Sequence, residues 1–308
     1  MPYHEPVLVE AVRAWADGSR RAVDATAGGG GHAAILRAAG ARVLLVDRDP
    51  EALAAARARL GGDGCEYVQA SFADPAVFAA ARAFRPDRVL LDLGMSSHQL
   101  DAPARGFTFL PGAPLDMRMT PGRGPSAADV LNTWTEERLA AAFREYGDER
   151  RARALARSVI RRRLERPFRV SDDFVNAIRA TLGPPPRSGP PDFARLFQAL
   201  RIAVNDELGQ LERGLPALRD ALVPGGRMGV ITYHSGEDRI VKHAFREWGR
   251  ACVCPPRQPV CTCRGRPLGR VLTRKAVRAG AAEVRANPRA RSAQFRAFET
   301  EQEDAHGA

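Results

Sequence analysis

Asp24-Ala25-Thr26-Ala27-Gly28-Gly29-Gly30-Gly31-His32 is the stretch on which the reading of this chain turns. A short apolar approach, Ala22-Val23, leads into it, and an alanine- and leucine-rich run, Ala33 to Ala39, leads out. Glycines between a strand and a helix let the backbone approach a ligand closely, with the helix N-terminus aimed at any negative group on it. A flexible linker is the alternative, but linkers seldom sit between segments that carry strand and helix periodicity. The stretch therefore reads as a cofactor loop, and its surroundings have to say which cofactor.

Working outward, strand-like and helix-like runs alternate. A strand over Arg21 to Asp24 delivers the loop. A second, Arg42 to Val46, ends on Asp47 and is followed by Arg48-Asp49-Pro50 and the helix-favouring Glu51 to Leu60. A third, around Cys65 to Ala70, ends at Ser71-Phe72 with a helix over Pro75 to Phe84 behind it, and a fourth, Asp87 to Leu91, ends at Asp92-Leu93-Gly94. Upstream, Val7, Leu8, Ala11, Val12 and Trp15 are spaced for an amphipathic lead-in helix. Such alternation is the signature of an α/β fold with a parallel sheet covered on both faces. Ligands in such sheets sit at the carboxyl ends of the strands. Asp24, Asp47, Ser71 with Phe72, and Asp92 are thus expected on one rim.

The alternation then breaks. From about 103 to 191 come a Gly-, Pro- and Met-rich loop (Arg105 to Pro125), helical segments over Glu136 to Tyr146, Glu149 to Glu165 and Asp172 to Leu182, and a Pro-rich bridge. This reads as an inserted helical subdomain. Residues 1–102 and 192–308 are then the two parts of the sheet domain. The second part opens with one long helix, Phe193 to Leu211, whose Phe193, Leu196, Phe197, Leu200, Val204, Leu208 and Leu211 share a stripe. Pro224-Gly225-Gly226 feeds a fifth strand, Arg227 to Tyr233, ending at His234-Ser235-Gly236-Glu237-Asp238. A helix follows, Arg239 to Trp248, and Leu268 to Val277 and Ala293 to Glu299 look like closing strands.

Bulk composition narrows the class. The 308 residues are 44% hydrophobic and 27% charged, as in globular rather than disordered chains. No apolar run is long enough to span a membrane. Met1-Pro2-Tyr3-His4-Glu5 shows no secretion signal, so a cytoplasmic location is expected. The net charge of +11 points to an anionic partner, most naturally nucleic acid. GC-rich coding bias explains the preference for arginine over lysine but not the excess of bases over acids. The excess is concentrated: between Arg250 and Arg296 lies a basic arm whose only acid is Glu283. Cys65 reads as core. Cys252-Val-Cys254 and Cys261-Thr-Cys263 form a tight cluster, open between a structural zinc knuckle and a reduced, metal-free loop, because Cys-x-Cys is tighter than the usual zinc spacing. No metal is assigned.

Two details favour S-adenosylmethionine over a nicotinamide. Asp24 stands immediately before the loop, where a methionine ammonium would want it, and the loop carries no Lys or Arg to hold a pyrophosphate. A dinucleotide fingerprint would also place a third glycine at Ala33. Asp47 serves either cofactor by accepting from both ribose hydroxyls. Its alternative role is to cap the next helix, for which Asp49 competes.

Several motifs together resemble the RsmH (MraW) family of bacterial 16S ribosomal RNA cytosine-N4 methyltransferases. They are Tyr3-His4-Glu5-Pro6-Val7-Leu8, the Asp24 to His32 loop, Asp47-Arg48-Asp49-Pro50, Leu91-Asp92-Leu93-Gly94-Met95-Ser96-Ser97 with Gln99-Leu100-Asp101, Arg105-Gly106-Phe107, and Pro114-Leu115-Asp116-Met117-Arg118-Met119. Phe197 to Ile202, His234-Ser235 with Glu237-Asp238-Arg239, and Asn287 to Ser292 continue the series in order. The chain departs from the pattern at His98, where the family has Pro, and at Gly236, where it has Leu. The resemblance implies a class I S-adenosylmethionine-dependent methyltransferase, a Rossmann-like sheet with an inserted helical subdomain. It implies cofactor contacts at Gly30, Gly31, His32, Asp47, Phe72, Asp92 and Gln99, and methyl transfer to the exocyclic N4 of a cytidine in the decoding region of 16S rRNA. Asp116 and His234 are the candidates to orient that nitrogen; their alternatives are a salt bridge to Arg118 or Arg105 and a turn hydrogen bond. The implied partners are 16S rRNA or the 30S subunit, with a homodimer allowed. A non-catalytic RNA-binding assembly factor and a nicotinamide-dependent dehydrogenase are the competing readings.

Overall fold

The computed structural model describes residues 6–183 and 192–302, without the side chains of Ser97, His98 and Asp192. Tyr3-His4-Glu5, the Pro-rich bridge and the His98 side chain lie outside the described residues. The chain forms two compact units, Met1–Gly94 with Leu208–Ala308, and Met95–Glu207. The second contains the segment 103–191 and extends beyond it at both ends.

The first unit opens with helix α1 (Val9–Ala16) and then runs β1 (Arg21–Asp24), α2 (Gly31–Ala38), β2 (Arg42–Asp47), α3 (Pro50–Leu60), β3 (Cys65–Gln69), α4 (Pro75–Phe84) and β4 (Arg88–Asp92). The strands start and stop where the apolar runs do. Helices α3 and α4 begin by the same device: Asp49 and Asp74 accept from the backbone N–H two residues on, and Pro50 and Pro75 occupy the first helical turn. Asp49, not Asp47, is therefore the cap of α3.

The second unit holds α5 (Ser97–Asp101), α6 (Ala127–Thr133), α7 (Glu136–Glu145), α8 (Ala152–Glu165), α9 (Ser171–Leu182) and α10 (Asp192–Asn205). They close around Leu131, Leu139, Phe143, Leu155, Phe174, Leu196 and Phe197. The Phe174 ring sits 5.8 Å from that of Phe143 and 5.2 Å from that of Phe197. The Gly-, Pro- and Met-rich stretch is not a surface loop throughout. Met117 is buried in the same core, with φ of 60°. Helix α6 follows directly on that stretch and is started by a reciprocal Ser126–Asp129 capping box.

The expected long helix from Phe193 to Leu211 is two helices. Helix α10 ends at Asn205, Asp206 takes a left-handed φ of 50°, and α11 (Glu207–Arg219) starts anew. The cause is polar. Asn205 Nδ2 donates to the Met117 carbonyl at 2.7 Å and its Oδ1 accepts from the Met119 N–H at 2.8 Å. That ties the end of α10 to its own unit, so the apolar stripe continues in register only as far as Val204.

The first unit then resumes with β5 (Arg227–Thr232), α12 (Ser235–Trp248), β6 (Gly269–Val271), β7 (Val277–Arg278), α13 (Ala281–Ala286) and β8 (Gln294–Thr300). Leu268 to Val277 is two short strands rather than one, because Thr273 Oγ1 takes the Ala297 N–H at 2.9 Å in place of a ladder partner. The sheet order is β3-β2-β1-β4-β5-β8-β6, with β7 also on β8. Strands β1 to β5 pair in parallel and β8 runs antiparallel to its neighbours. Alternate residues face opposite layers: Val43, Leu45, Leu90 and Ile231 join one core, Leu44, Val46, Val89, Leu91 and Val230 the other. The chain winds outward from β1 through β2 to β3 and then returns to β1's other side as β4. The carboxyl ends of β1 and β4 thus flank the switch point, where α/β sheets hold ligands.

Candidate functional site

Asp24 and Asp92 end the two strands at the switch point, and His32 from the first turn of α2 stands with them. His32 Nε2 meets the Val7 carbonyl at 2.9 Å and Nδ1 lies 3.3 Å from Asp92 Oδ2. Both ring nitrogens therefore face acceptors, an arrangement that only the doubly protonated ring satisfies at both ends. Burial works against that charge, but the bond and charge of Asp92, with Asp24 behind it, push the His32 pKa up to about 9. Asp92 is further held by the Tyr233 hydroxyl, which donates to its Oδ1 at 2.8 Å, and its N–H donates to Thr26 Oγ1 at 2.6 Å.

Asp24 is fully buried. Its Oδ1 takes a long bond from the Thr26 N–H, 3.4 Å, and its Oδ2 has no hydrogen-bond partner among the described residues. Desolvation dominates its chemistry and carries the pKa up to about 7, against the opposing pull of His32. A buried carboxylate oxygen left open costs stability unless something cationic or donating meets it.

Asp47, at the end of β2, closes the loop from the other side. Its Oδ2 accepts from the Gly28 N–H at 2.8 Å and its Oδ1 from the Asp49 N–H at 2.9 Å. Burial raises its pKa to about 6 in spite of those two bonds. Each carboxylate oxygen has a second lone pair, so the group can still accept from a diol. Gly30, with φ of 76°, packs so that a Cβ would stand 3.2 Å from the Ala56 Cα, and a Cβ on Gly31 would stand 3.1 Å from Pro6. The loop carries no Lys or Arg of its own, but Arg59 from α3 reaches the Gly29 carbonyl at 3.4 Å. The half-buried Phe72 ring, beyond β3, packs against the sheet core and lies over Gly214 of α11, where a Cβ would come within 2.7 Å. Gly214 makes room for that ring. Ser71 Oγ donates to Gln210 Oε1.

The other three expected residues have different surroundings. Gln99, in α5 of the second unit, is buried, and its Oε1 accepts from the Ser96 N–H at 3.2 Å. Asp116 is clasped by Arg118, whose Nε and Nη2 donate to its two oxygens at 2.9 and 2.6 Å. Partial burial would lift its pKa, but the Arg118 bonds outweigh it and hold the carboxyl below the usual range. His234 stands just before α12, where Glu237 accepts from the Tyr233 and His234 N–H groups at 2.8 and 3.3 Å. His234 Nε2 is 3.3 Å from Glu237 Oε1 but outside hydrogen-bond geometry. The glycine at 236 gives the ring its seat, since a Cβ there would stand 3.1 Å from His234 Nδ1.

Of the strand-end residues expected on one rim, Asp24, Asp47 and Asp92 stand around the loop together with His32, whereas Ser71 and Phe72 lie beyond β3 against α11. Tyr233 and Thr26, which hold Asp92, were missed. Thr26 lay inside the quoted loop and Tyr233 at the end of a strand beside β4, so strand-end position was the available signal.

The comparisons with known proteins bear on what the site serves. The model of the MraW methylase family matches residues 1–301. A protein of Gemmatimonas aurantiaca named ribosomal RNA small subunit methyltransferase H is 56% identical over 300 residues, covering 96% of this chain and 95% of its own. Proteins of the same name from Symbiobacterium thermophilum and Rubrobacter xylanophilus are 47% and 48% identical, each over 96% of both chains.

Proposed function

The chain belongs to the MraW methylase family, and from that premise we propose that it transfers the methyl group of S-adenosylmethionine to the N4 of a cytidine in 16S rRNA. The 30S subunit is its substrate, the decoding region its target and the cytoplasm its place of work. What carries the cofactor assignment is Asp24: a buried carboxylate with one oxygen open, beside a glycine loop, in a family of methylases.

The residues present fit the cofactor. Asp24 would hold the methionine ammonium and Asp47 the ribose hydroxyls, and Gly30 and Gly31 let the loop pack down on α3 and Pro6 in the shape that would receive the cofactor. Phe72 is proposed to face the adenine. His32 and Asp92 act as a neutralised pair: the imidazolium lets two acids share one strand-end rim, and Tyr233 fixes the orientation of Asp92. Gln99 is proposed as a further cofactor contact. When bound, S-adenosylmethionine supplies an electrophilic methyl on a sulfonium centre.

The acceptor nitrogen is a weak nucleophile because its lone pair is delocalised into the pyrimidine ring. The protein must therefore position it and accept hydrogen bonds from its hydrogens. Two residues are proposed for this, each to be tested by itself. Asp116, kept ionised by Arg118, is suited to accept a hydrogen bond and poorly suited to keep a proton. His234 presents a ring with an unsatisfied nitrogen. If Asp116→Asn and His234→Ala both leave single-turnover rates unchanged, neither has this role.

The basic residues outside ion pairs are proposed to hold flanking RNA through its backbone. A homodimer goes with this reading and is checked by sedimentation. The test of function is methyl transfer from tritiated S-adenosylmethionine to unmodified 30S particles and to naked 16S rRNA, with the labelled nucleoside identified. N4-methylcytidine in the 30S arm is the expected product. RNA binding without transfer would make the protein an assembly factor, and stabilisation by NAD in place of S-adenosylmethionine would make it a dehydrogenase.

A further inference from the structure

Outside the rim, a second cluster of reactive side chains lies in the loop between α12 and β6, residues 249–268. Cys252, Cys254, Cys261 and Cys263 bring their Sγ atoms within 4.8 Å of one another. The Sγ separations are 3.8 Å for Cys252–Cys261, 3.8 Å for Cys254–Cys261, 3.5 Å for Cys261–Cys263 and 3.9 Å for Cys252–Cys263. All four are free thiols.

A tetrahedral ion with thiolates at about 2.3 Å would set its sulfurs about 3.8 Å apart, close to this spacing. The tight Cys-x-Cys spacing becomes intelligible here. In extended chain, residues i and i+2 point to the same side, so each Cys-x-Cys is one two-toothed arm. The arms are turned to face each other by Pro255-Pro256-Arg257-Gln258. The Gln258 N–H reaches the Pro255 carbonyl at 3.3 Å, and Arg257 takes the left-handed φ of 71° that a type II turn needs at its third residue. Gln258 Nε2 braces the second arm by donating to the Val260 carbonyl at 3.0 Å and Thr262 Oγ1 at 2.7 Å. The Val253 N–H points at Cys263 Sγ, 3.3 Å away. No residue between Gly249 and Leu268 is buried and none lies in a helix or strand, so the loop has no apolar core to hold this shape.

We propose that Cys252, Cys254, Cys261 and Cys263 bind one zinc ion that staples this loop. The ion displaces the thiol protons, takes four thiolates and leaves no open position, so its role is structural. It fixes a hairpin that carries Arg257 and the exposed Val260 at its tip. This holds whether or not the methyl acceptor is the one proposed above.

The full chain, expressed untagged in zinc-supplemented medium and purified without chelator, should contain about one zinc per chain by elemental analysis. Cys261→Ser should lose it while keeping the S-adenosylmethionine affinity of the parent. Cobalt(II) added to the metal-stripped parent should give the thiolate charge-transfer and visible bands of a tetrahedral four-sulfur site, which decides the matter even if the variant fails to fold. Zinc far below stoichiometry together with absent cobalt bands would overturn the proposal, as would iron at the site or disulfides among the four cysteines.

Discussion

The rim around Gly28–Gly31 and the cysteine loop at 249–268 are both clusters of ionisable side chains, and they are held in opposite ways. On the rim, Asp24 is fully buried, and Asp47 and Asp92 are fastened by backbone N–H groups, Thr26 and Tyr233. The parallel sheet supplies that scaffold before any ligand arrives. In the loop the side chains are exposed or half-buried, and only a turn and a few hydrogen bonds shape them. A fold can preorganise the first kind of site; the second needs its ion. Changes on the rim should accordingly act on cofactor affinity with modest effects on stability, whereas changes in the loop should act on local order and leave the cofactor alone.

The largest effect is expected at Gly30. A valine there must take φ of 76° with its Cβ 3.2 Å from the Ala56 backbone, a strain of about 3 kcal/mol. Unlike the side-chain changes on the rim it should lower the melting temperature, and where the loop relieves the strain by moving, affinity should fall about a hundredfold. Calorimetric titration with S-adenosylmethionine measures it. A variant that melts normally and binds normally would show that the packing of the loop on α3 does not set cofactor affinity. Next comes Asp47→Ala, which removes a charge-assisted acceptor worth about 1.5–3 kcal/mol and should weaken binding about tenfold to a hundredfold. Unchanged affinity would take Asp47 out of the site.

A smaller effect follows from the raised pKa of Asp24. Its carboxylate is the form that meets an ammonium, and the proton binds with a pKa of about 7. Affinity should therefore be highest near pH 8 and fall by up to about tenfold per unit as pH drops below 7, with a second decline at higher pH as the cofactor's own α-ammonium loses its proton. Asp47, with its pKa at about 6, should steepen the fall below that point. An affinity that is flat from pH 8 to pH 5 would contradict this.

The smallest effects separate arginines that pair from arginines that face outward. Arg296 donates to both oxygens of Asp238, at 2.6 and 3.1 Å, and Arg270 pairs with Glu299, so neither is a free RNA contact. Arg296→Ala should lower the melting temperature and leave RNA affinity alone. Arg257→Ala should do the reverse, reducing the slope of log affinity against log salt by about 1. Equal slopes for parent and Arg257→Ala would remove the loop tip from the RNA surface.

How much of this could be read beforehand depends on whether the controlling contact is local. The five parallel strands, the acids that end three of them and the Asp49 cap follow from short-range patterns: apolar runs, strand-end carboxylates and Asp-Pro. The Asp116–Arg118 pair was visible as an alternative because the two residues are neighbours in sequence. The break at Asp206 was not visible, since the apolar spacing from Phe193 to Leu211 runs through it. What ends α10 is the grip of Asn205 on Met117 and Met119, more than 80 residues away. Tyr233 was hidden for the same reason, its partner Asp92 being 141 residues off. Cys-x-Cys was visible but ambiguous until the turn at Arg257 brought its two halves together.

The most direct measurement compares two ligands on the parent and on Asp24→Asn, a substitution that keeps the side chain's shape. S-adenosylmethionine carries the ammonium; 5′-methylthioadenosine shares its nucleoside but lacks the amino-acid end. The expected result at pH 8 is a loss of about a hundredfold for S-adenosylmethionine, with 5′-methylthioadenosine unaffected. Equal losses for both ligands, or none for either, would show that Asp24 does not receive the cofactor's ammonium.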